Sequence, residues 1–208
     1  MSWNNSKPLK RLLDLLVATT AFVCLTPLAG IIALVIFIRM GRPIFFCQER
    51  PGYHTKPFVL IKFRTMSNQK DIDGQLFTDE MRLTSLGRFL RSTSLDELPE
   101  LLNILKGEMS LVGPRPLMIS YLDKYSPDQA RRHEVIPGMT GWAQINGRNA
   151  TSWAKRLAMD VWYVDHWSLG LDLKILAVTF WKVLKREGIS YNDHATMPAF
   201  KGAKHEIS

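Results

Sequence analysis

The sequence has little cysteine: Cys24 and Cys47 stand alone, without a CxxC spacing or a histidine beside either. That excludes a disulfide framework and a zinc site of ordinary spacing, and it fits the reducing side of a membrane. Acidic residues are also scarce, with 19 Asp and Glu against 27 Lys and Arg, a formal net charge of +8. The excess suits a polyanionic partner: nucleic acid, an anionic membrane surface or a phosphorylated substrate. No internal repeat or low-complexity segment is present, which excludes a repeat architecture. At 208 residues with 46% apolar content, the chain is long enough for one domain with a core, hardly for two.

What is abundant is unevenly placed. Leu12 to Ile38 form a 27-residue apolar run with Asp14 as its only charge, longer than the roughly 20 residues that cross a bilayer as a helix. A cleaved signal peptide would carry a shorter run and a small-residue cleavage site. Pro27 removes the donor that would pair with the carbonyl of Val23, so the run reads as two half-helices, with the Thr26 hydroxyl available to a freed acceptor. Basic residues flank both ends, Lys7, Lys10 and Arg11 before and Arg39 and Arg42 after. Such symmetry favours both ends on the cytoplasmic side, a re-entrant hairpin over an ordinary kinked span. Asp14 is expected to pair with Arg11, three residues earlier.

Beyond residue 40 the pattern changes. IFFCQ and FVLIKF are β-prone runs separated by turn formers, which predicts a small hairpin within 43–66. From Asp79 the pattern is mainly helical: TDEMRLTSLGRFLRST, then SLDELPELLNILKG closed by Gly107, then SPDQARRHE with Ser126 as cap, Pro127 first and Gln129 third. Irregular Gly/Pro-rich stretches at 110–116 and 136–149 interrupt the helices and are candidate functional loops. The last third reads as two helices broken near Ser168 to Gly170. Its final helix sets Ile175, Leu176, Val178, Trp181, Val183 and Leu184 near Lys174, Lys182, Lys185 and Arg186. Five of six tryptophans lie between Trp142 and Trp181, which suits either a helix on a membrane surface or an ordinary amphipathic core. Asn149-Ala150-Thr151 matches a glycosylation sequon that a cytoplasmic placement leaves inert.

The most informative stretch is SLDEL, 94 to 98. Ser94 and Glu97 have the spacing of a capping box, and Asp96 in the first turn complements the helix dipole. The same carboxylate has a second use: at a helix N-terminus it is held ionised where phosphate also binds, and it can attack phosphorus. Pro99 suits the first helical position better than the fifth. Arg115, mounted between Pro114 and Pro116, has the stiff backbone that a phosphate clamp needs. Arg88 and Arg91, Lys62, Arg64 and Arg148 are further cationic candidates, and Glu97 is a candidate magnesium ligand with Asp96 beside it.

With these motifs in hand, the chain closely resembles the bacterial sugar transferases, the small monotopic phosphoglycosyl transferases. The likeness rests on KRLLD with the Pro-broken run, IFFCQERPG, FVLIKFRTM, LGRFLRSTSLDELPELLNILKGEMSLVGPRP, PGMTGWAQINGR and DVWYVDHWSLGLDLKIL. It implies a mainly α fold with a small β-hairpin, a re-entrant helix-break-helix over 1–40 and a membrane-associated catalytic domain over 41–208 with interfacial amphipathic helices. It implies transfer of a sugar-1-phosphate from a UDP-sugar to undecaprenyl phosphate at the cytoplasmic face of the inner membrane, with Mg2+ and a covalent Asp96 intermediate. Thr26 and Pro27 fall on the hairpin break, where the family usually has serine before proline, and Arg115 and Pro116 on its phosphate-binding pair. A modified N-acetylhexosamine such as diacetylbacillosamine is the expected sugar, with 137–153 the place for donor specificity. No nucleic acid partner is expected, and an oligomer is left open. The alternatives are direct transfer with both substrates bound and Asp96 only a metal ligand, or a basic membrane scaffold without catalysis.

Overall fold

A computed structural model describes residues 3–69, 71–147, 152–185, 199–200 and 202. Arg148, the sequon at 149–151 and Arg186 lie outside the described residues. The architecture is mainly helical with two small sheets, in line with the expected class.

Helix α1 runs from Trp3 to Met40 with Pro27 inside it. The two half-helices expected from the sequence therefore form one hydrogen-bonded helix, because a single proline removes one rung of an established ladder without halting it. The Thr26 hydroxyl donates to the carbonyl of Phe22 at 2.6 Å, one residue short of the acceptor that Pro27 leaves free. The helix is long and apolar enough to cross a membrane, and Leu16, Val23, Ile31, Leu34 and Ile38 are exposed along it. Other residues of both halves pack on the rest of the chain. Ala18 enters the main core, while Ile32 and Ile36 join Phe63 and Leu90 in a second cluster.

Asp14 does not pair with Arg11. Its carboxylate accepts from the backbone N–H of Leu111 at 3.1 Å. Arg11 reaches instead to α4 (Glu100–Lys106), donating to the carbonyls of Ile104 at 2.6 Å and Leu105 at 3.0 Å. Those carbonyls lie in the last turn of the helix, at the negative end of its dipole, and the Ile104 oxygen also accepts from the N–H of Gly107 at 3.0 Å. The helix also stops where the sequence indicated, at Gly107, whose φ of 87° is cheap only for glycine.

The predicted hairpin is present: β1 (Phe45–Pro51) pairs antiparallel with β2 (Pro57–Phe63), from Phe45 opposite Phe63 to Pro51 opposite Pro57. Asn103, fully buried in the leucine run of α4, holds the helix to β2. It donates to Val59 O at 2.7 Å and accepts from Ile61 N at 3.2 Å. Helices α2 (Asp79–Arg82) and α3 (Ser85–Ser92) precede the carboxylate loop.

The second sheet has no counterpart in the sequence reading. The Gly/Pro-rich stretches supply β3 (Ser110–Val112) and β4 (Gly138–Thr140), which pair in parallel. A β-carbon at Gly138 would stand 2.0 Å from the backbone nitrogen of Gly113, so only glycine permits this approach. Between the strands, α5 (Pro127–Ala130) has the predicted capping box of Ser126 and Gln129. Helix α6 (Trp142–Asn146) leads to α7 (Trp153–His166) and α8 (Leu169–Lys185), broken where expected. The tryptophans divide between the two readings. Trp142 stacks on Trp162 at 4.6 Å, whereas Trp181 lies exposed on α8 with Phe180 and Leu184.

Candidate active site

The segment joining α3 to α4 does not fold as a capped helix start. Ser94 is left-handed, with φ 56° and ψ 16°, and its side chain caps nothing. That conformation costs a non-glycine residue about 1 kcal/mol. It turns the chain so that Leu95–Glu97 form a single 3-10 turn of their own, and Pro99 then sits at the start of α4, which removes its misfit. The expected capping box is thus absent: Glu97 turns toward two cations instead of toward the backbone of Ser94.

Those cations come from distant segments. Lys62, near the end of β2, donates to Glu97 Oε1 at 2.7 Å, and Arg115 Nη2 donates to the same oxygen. Lys62 Nζ also stands 3.0 Å from Glu100 Oε1, outside hydrogen-bond geometry, so that buried oxygen has no hydrogen-bond partner. Arg115 is held from behind. Arg132, buried in an ion pair with Asp160 at 2.7 Å, donates to the Arg115 carbonyl at 2.6 Å. The Pro114 carbonyl accepts from Gly138 N at 3.0 Å, which ties the clamp to the second sheet.

The electrostatics separate the carboxylates. Burial would raise Glu97, but Arg115 and Lys62 outweigh it and hold the carboxyl far below the usual range. Burial and the charge of Glu97 push Asp96 up, against the pull of Lys62, Arg91 and Arg115. Glu100 is raised to about 6 by burial and by Glu97, with Lys62 opposing. Burial alone would lower Lys62, yet Glu97 and Glu100 keep its ammonium above the ordinary lysine value. Asp96 is only 8% exposed. Among the described residues no side chain or backbone donor is hydrogen-bonded to its carboxylate. Glu97 is clamped; Asp96 feels the charges of Lys62, Arg91 and Arg115 and is bound to none of them by a hydrogen bond.

The sequence candidates sort accordingly. Lys62, Asp96, Glu97 and Arg115 come together. Arg64 does not join them: it is buried at the end of α1, donating to the carbonyls of Met40, Gly41 and Arg42. Arg88 is exposed and folds back on its own helix, donating to Leu83 O and Ser85 Oγ. Arg91, one turn on, is the α3 arginine whose charge reaches Asp96 and Glu97. Sequence reasoning missed Glu100, Asn103, the Arg132–Asp160 pair and Arg50, whose charge is felt by Arg115 and Glu100. Asn103 left a trace, an amide inside a run of leucines; the Arg132–Asp160 pair left none. No three His, Cys, Asp or Glu side chains gather as a metal cage among the described residues. Asp96 with the free oxygen of Glu97 suits an ion that takes one or two carboxylates and completes its shell with substrate phosphate and water.

Comparison with known proteins gives the chain a family. The profile described as bacterial sugar transferase matches residues 5–186. The "Uncharacterized sugar transferase EpsL" of Bacillus subtilis is 55% identical over 195 residues, 94% of this chain and 96% of that protein. An "Undecaprenyl-phosphate glucose phosphotransferase" of Komagataeibacter xylinus is 38% identical over 201 residues, 88% of this chain and 36% of that one. A "UDP-glucose:undecaprenyl-phosphate glucose-1-phosphate transferase" of Escherichia coli is 40% identical over 185 residues, 84% of this chain and 40% of its own length. The chain thus spans about two fifths of the length of these two longer relatives. From profile and relatives together, the chain belongs to the bacterial sugar transferase family.

Proposed function

We propose that this chain is a polyprenyl-phosphate sugar-1-phosphate transferase working by a covalent aspartyl intermediate at the cytoplasmic face of the inner membrane. An Asp96 oxygen attacks the sugar-bearing phosphorus of a UDP-sugar, and the bond to the bridging oxygen breaks with release of UMP. A phosphate oxygen of undecaprenyl phosphate then attacks the same phosphorus, forming the lipid diphosphate sugar and returning the Asp96 carboxylate. The observation that carries this function is the contrast within the cluster. Among the described residues Asp96 has no hydrogen bond to give up, while Glu97 holds Lys62 and Arg115 beside it, in place to bind the diphosphate and stabilise charge at phosphorus. Mg2+ held by Asp96, Glu97 and the diphosphate would neutralise further charge on the leaving group.

Incubation with UDP-sugar in the absence of lipid acceptor should leave a phosphosugar adduct on Asp96, found by mass spectrometry. Sequential kinetics without an adduct would favour direct transfer with Asp96 as metal ligand only. The donor panel is UDP-glucose and UDP-galactose, from the names of relatives, and UDP-diacetylbacillosamine, from the sequence resemblance.

A membrane-embedded acceptor and a water-soluble donor meet only at a surface, and α1 supports a re-entrant placement of the site there. A straight helix from Leu12 to Ile38 would be about 39 Å long and would put its ends on opposite sides of a hydrocarbon core of about 30 Å. Yet Lys10 pairs with Asp172 and the carbonyls at 40–42 are held by Arg64, all on one body joined through α4 and β2. A bend at Pro27 in the membrane would reconcile the two. In a Cys24→Ser background, Cys47 and a cysteine placed at Ser6 should both react with a membrane-impermeant maleimide only after permeabilisation. Labelling of the Ser6 position in intact cells would mean a through-span.

A further inference from the structure

Where α1 ends, a groove of about 450 Å³ opens between Arg39 and Arg42 on one side and Ser67, Asn68 and Gln69 on the other, with Arg64 at its floor. No carboxylate pairs with Arg39 or Arg42 among the described residues, whereas Arg82, Arg115, Arg131 and Arg132 each pair with one. The floor is polar and incompletely satisfied. Arg64 is 6% exposed and its Nε lacks a partner, as does the buried hydroxyl of Ser67. Two free guanidinium groups above orphaned donors are an arrangement that takes an anion with several acceptor oxygens. Its place narrows the choice, because Arg39 follows Ile38 directly at the end of the apolar run, at headgroup depth in the re-entrant placement. One chain of contacts leads from the groove toward the catalytic cluster: Thr65, next to Arg64, accepts from Arg91 Nε at 3.1 Å, and the charge of Arg91 is felt by Asp96.

We propose that this groove binds the phosphate head of a membrane lipid and holds it beside Asp96. The inference rests on the reading above for the re-entrant placement and for naming undecaprenyl phosphate as one source; bulk anionic phospholipid is the other, and the phosphate group is common to both.

The test uses the full chain in neutral detergent and tail-labelled probes, a short polyprenyl phosphate and a phosphatidylglycerol, read by fluorescence anisotropy. Arg39→Gln with Arg42→Gln should weaken probe binding by about tenfold for each arginine lost, the scale of a hydrogen bond to a charged group. Inorganic phosphate should compete. Loss confined to the polyprenyl probe assigns the groove to the acceptor, and loss of both probes assigns it to phosphate lipids in general. Unchanged binding of both probes overturns the proposal. So does an equal loss in Lys56→Gln with Lys106→Gln, two exposed lysines outside the groove, since that would be charge alone. Because the readout is binding, its outcome stands apart from adduct trapping on Asp96.

Discussion

Two of the buried assemblies of carboxylates and cations among the described residues are built in opposite ways. Beneath α1, Asp172 accepts from Lys10 at 2.6 Å, from Tyr163 at 2.7 Å and from Trp167 at 3.1 Å, while Lys10 and Tyr163 also share the Val112 carbonyl. Every strong donor there has an acceptor. In the Asp96 cluster, by contrast, among the described residues one carboxylate is clamped, one has no hydrogen bond, and a third has a buried oxygen that meets the Lys62 charge at 3.0 Å without a hydrogen bond. A satisfied network rigidifies and latches helices together; an unsatisfied one keeps charge ready for a ligand. Lesions in the two should therefore separate stability from chemistry.

The largest effect expected is from Asp96→Asn, which should lower UMP release by about 10⁴-fold or more and leave the denaturation midpoint near that of the parent. Substantial turnover in that variant would sink the covalent mechanism. Lys10→Met strikes the other network. It strands Asp172 and should cost about 3–5 kcal/mol of stability, measured by denaturant unfolding in detergent, with turnover per folded molecule retained. Arg115→Lys keeps the charge but not the planar fork, and should reduce kcat about 100-fold; rates equal to the parent would mean that Arg115 only neutralises Glu97.

The smallest effect tests the unsatisfied character of the site directly. Glu100 titrates near 6 in the folded chain against an ordinary value of 4.5, so between those pH values the folded state binds more protons than the unfolded. Stability from this group is present below about 4.5 and falls as pH rises through 6, by about 2 kcal/mol. Glu100→Gln should accordingly raise the thermal midpoint at pH 8, and the gain should vanish toward pH 4.5. A gain independent of pH would place the effect in packing.

Features fixed by local chemistry were legible in the sequence. The β1–β2 hairpin, the stop at Gly107, the box at Ser126 and the break before α8 each depend on residues a few positions apart. The parallel pairing of β3 with β4 was not, because two three-residue strands 28 positions apart have no periodicity to betray them. SLDEL was legible as chemistry and misleading as structure: its spacing fits a capping box, but Lys62 and Arg115 compete for Glu97 and prevail. Asp14 misled for the same reason, since it takes an N–H from β3 while the arginine one turn away is drawn to the carbonyls of α4. Arg64 and Arg88 show the limit of reading cations from motifs, because carbonyl oxygens absorb guanidinium groups that a sequence presents as free.

The grip of Arg11 on the closing carbonyls of α4 has a practical side. Cutting away the greasy leader to obtain a water-soluble fragment would strip the cover from those oxygens and empty the slot filled by Ala18, in the same core as Leu101 and Ile104 of the helix that bears Glu100. Solubilisation should begin from the intact polypeptide in detergent or lipid discs, since here the membrane foot is also a wall of the enzyme.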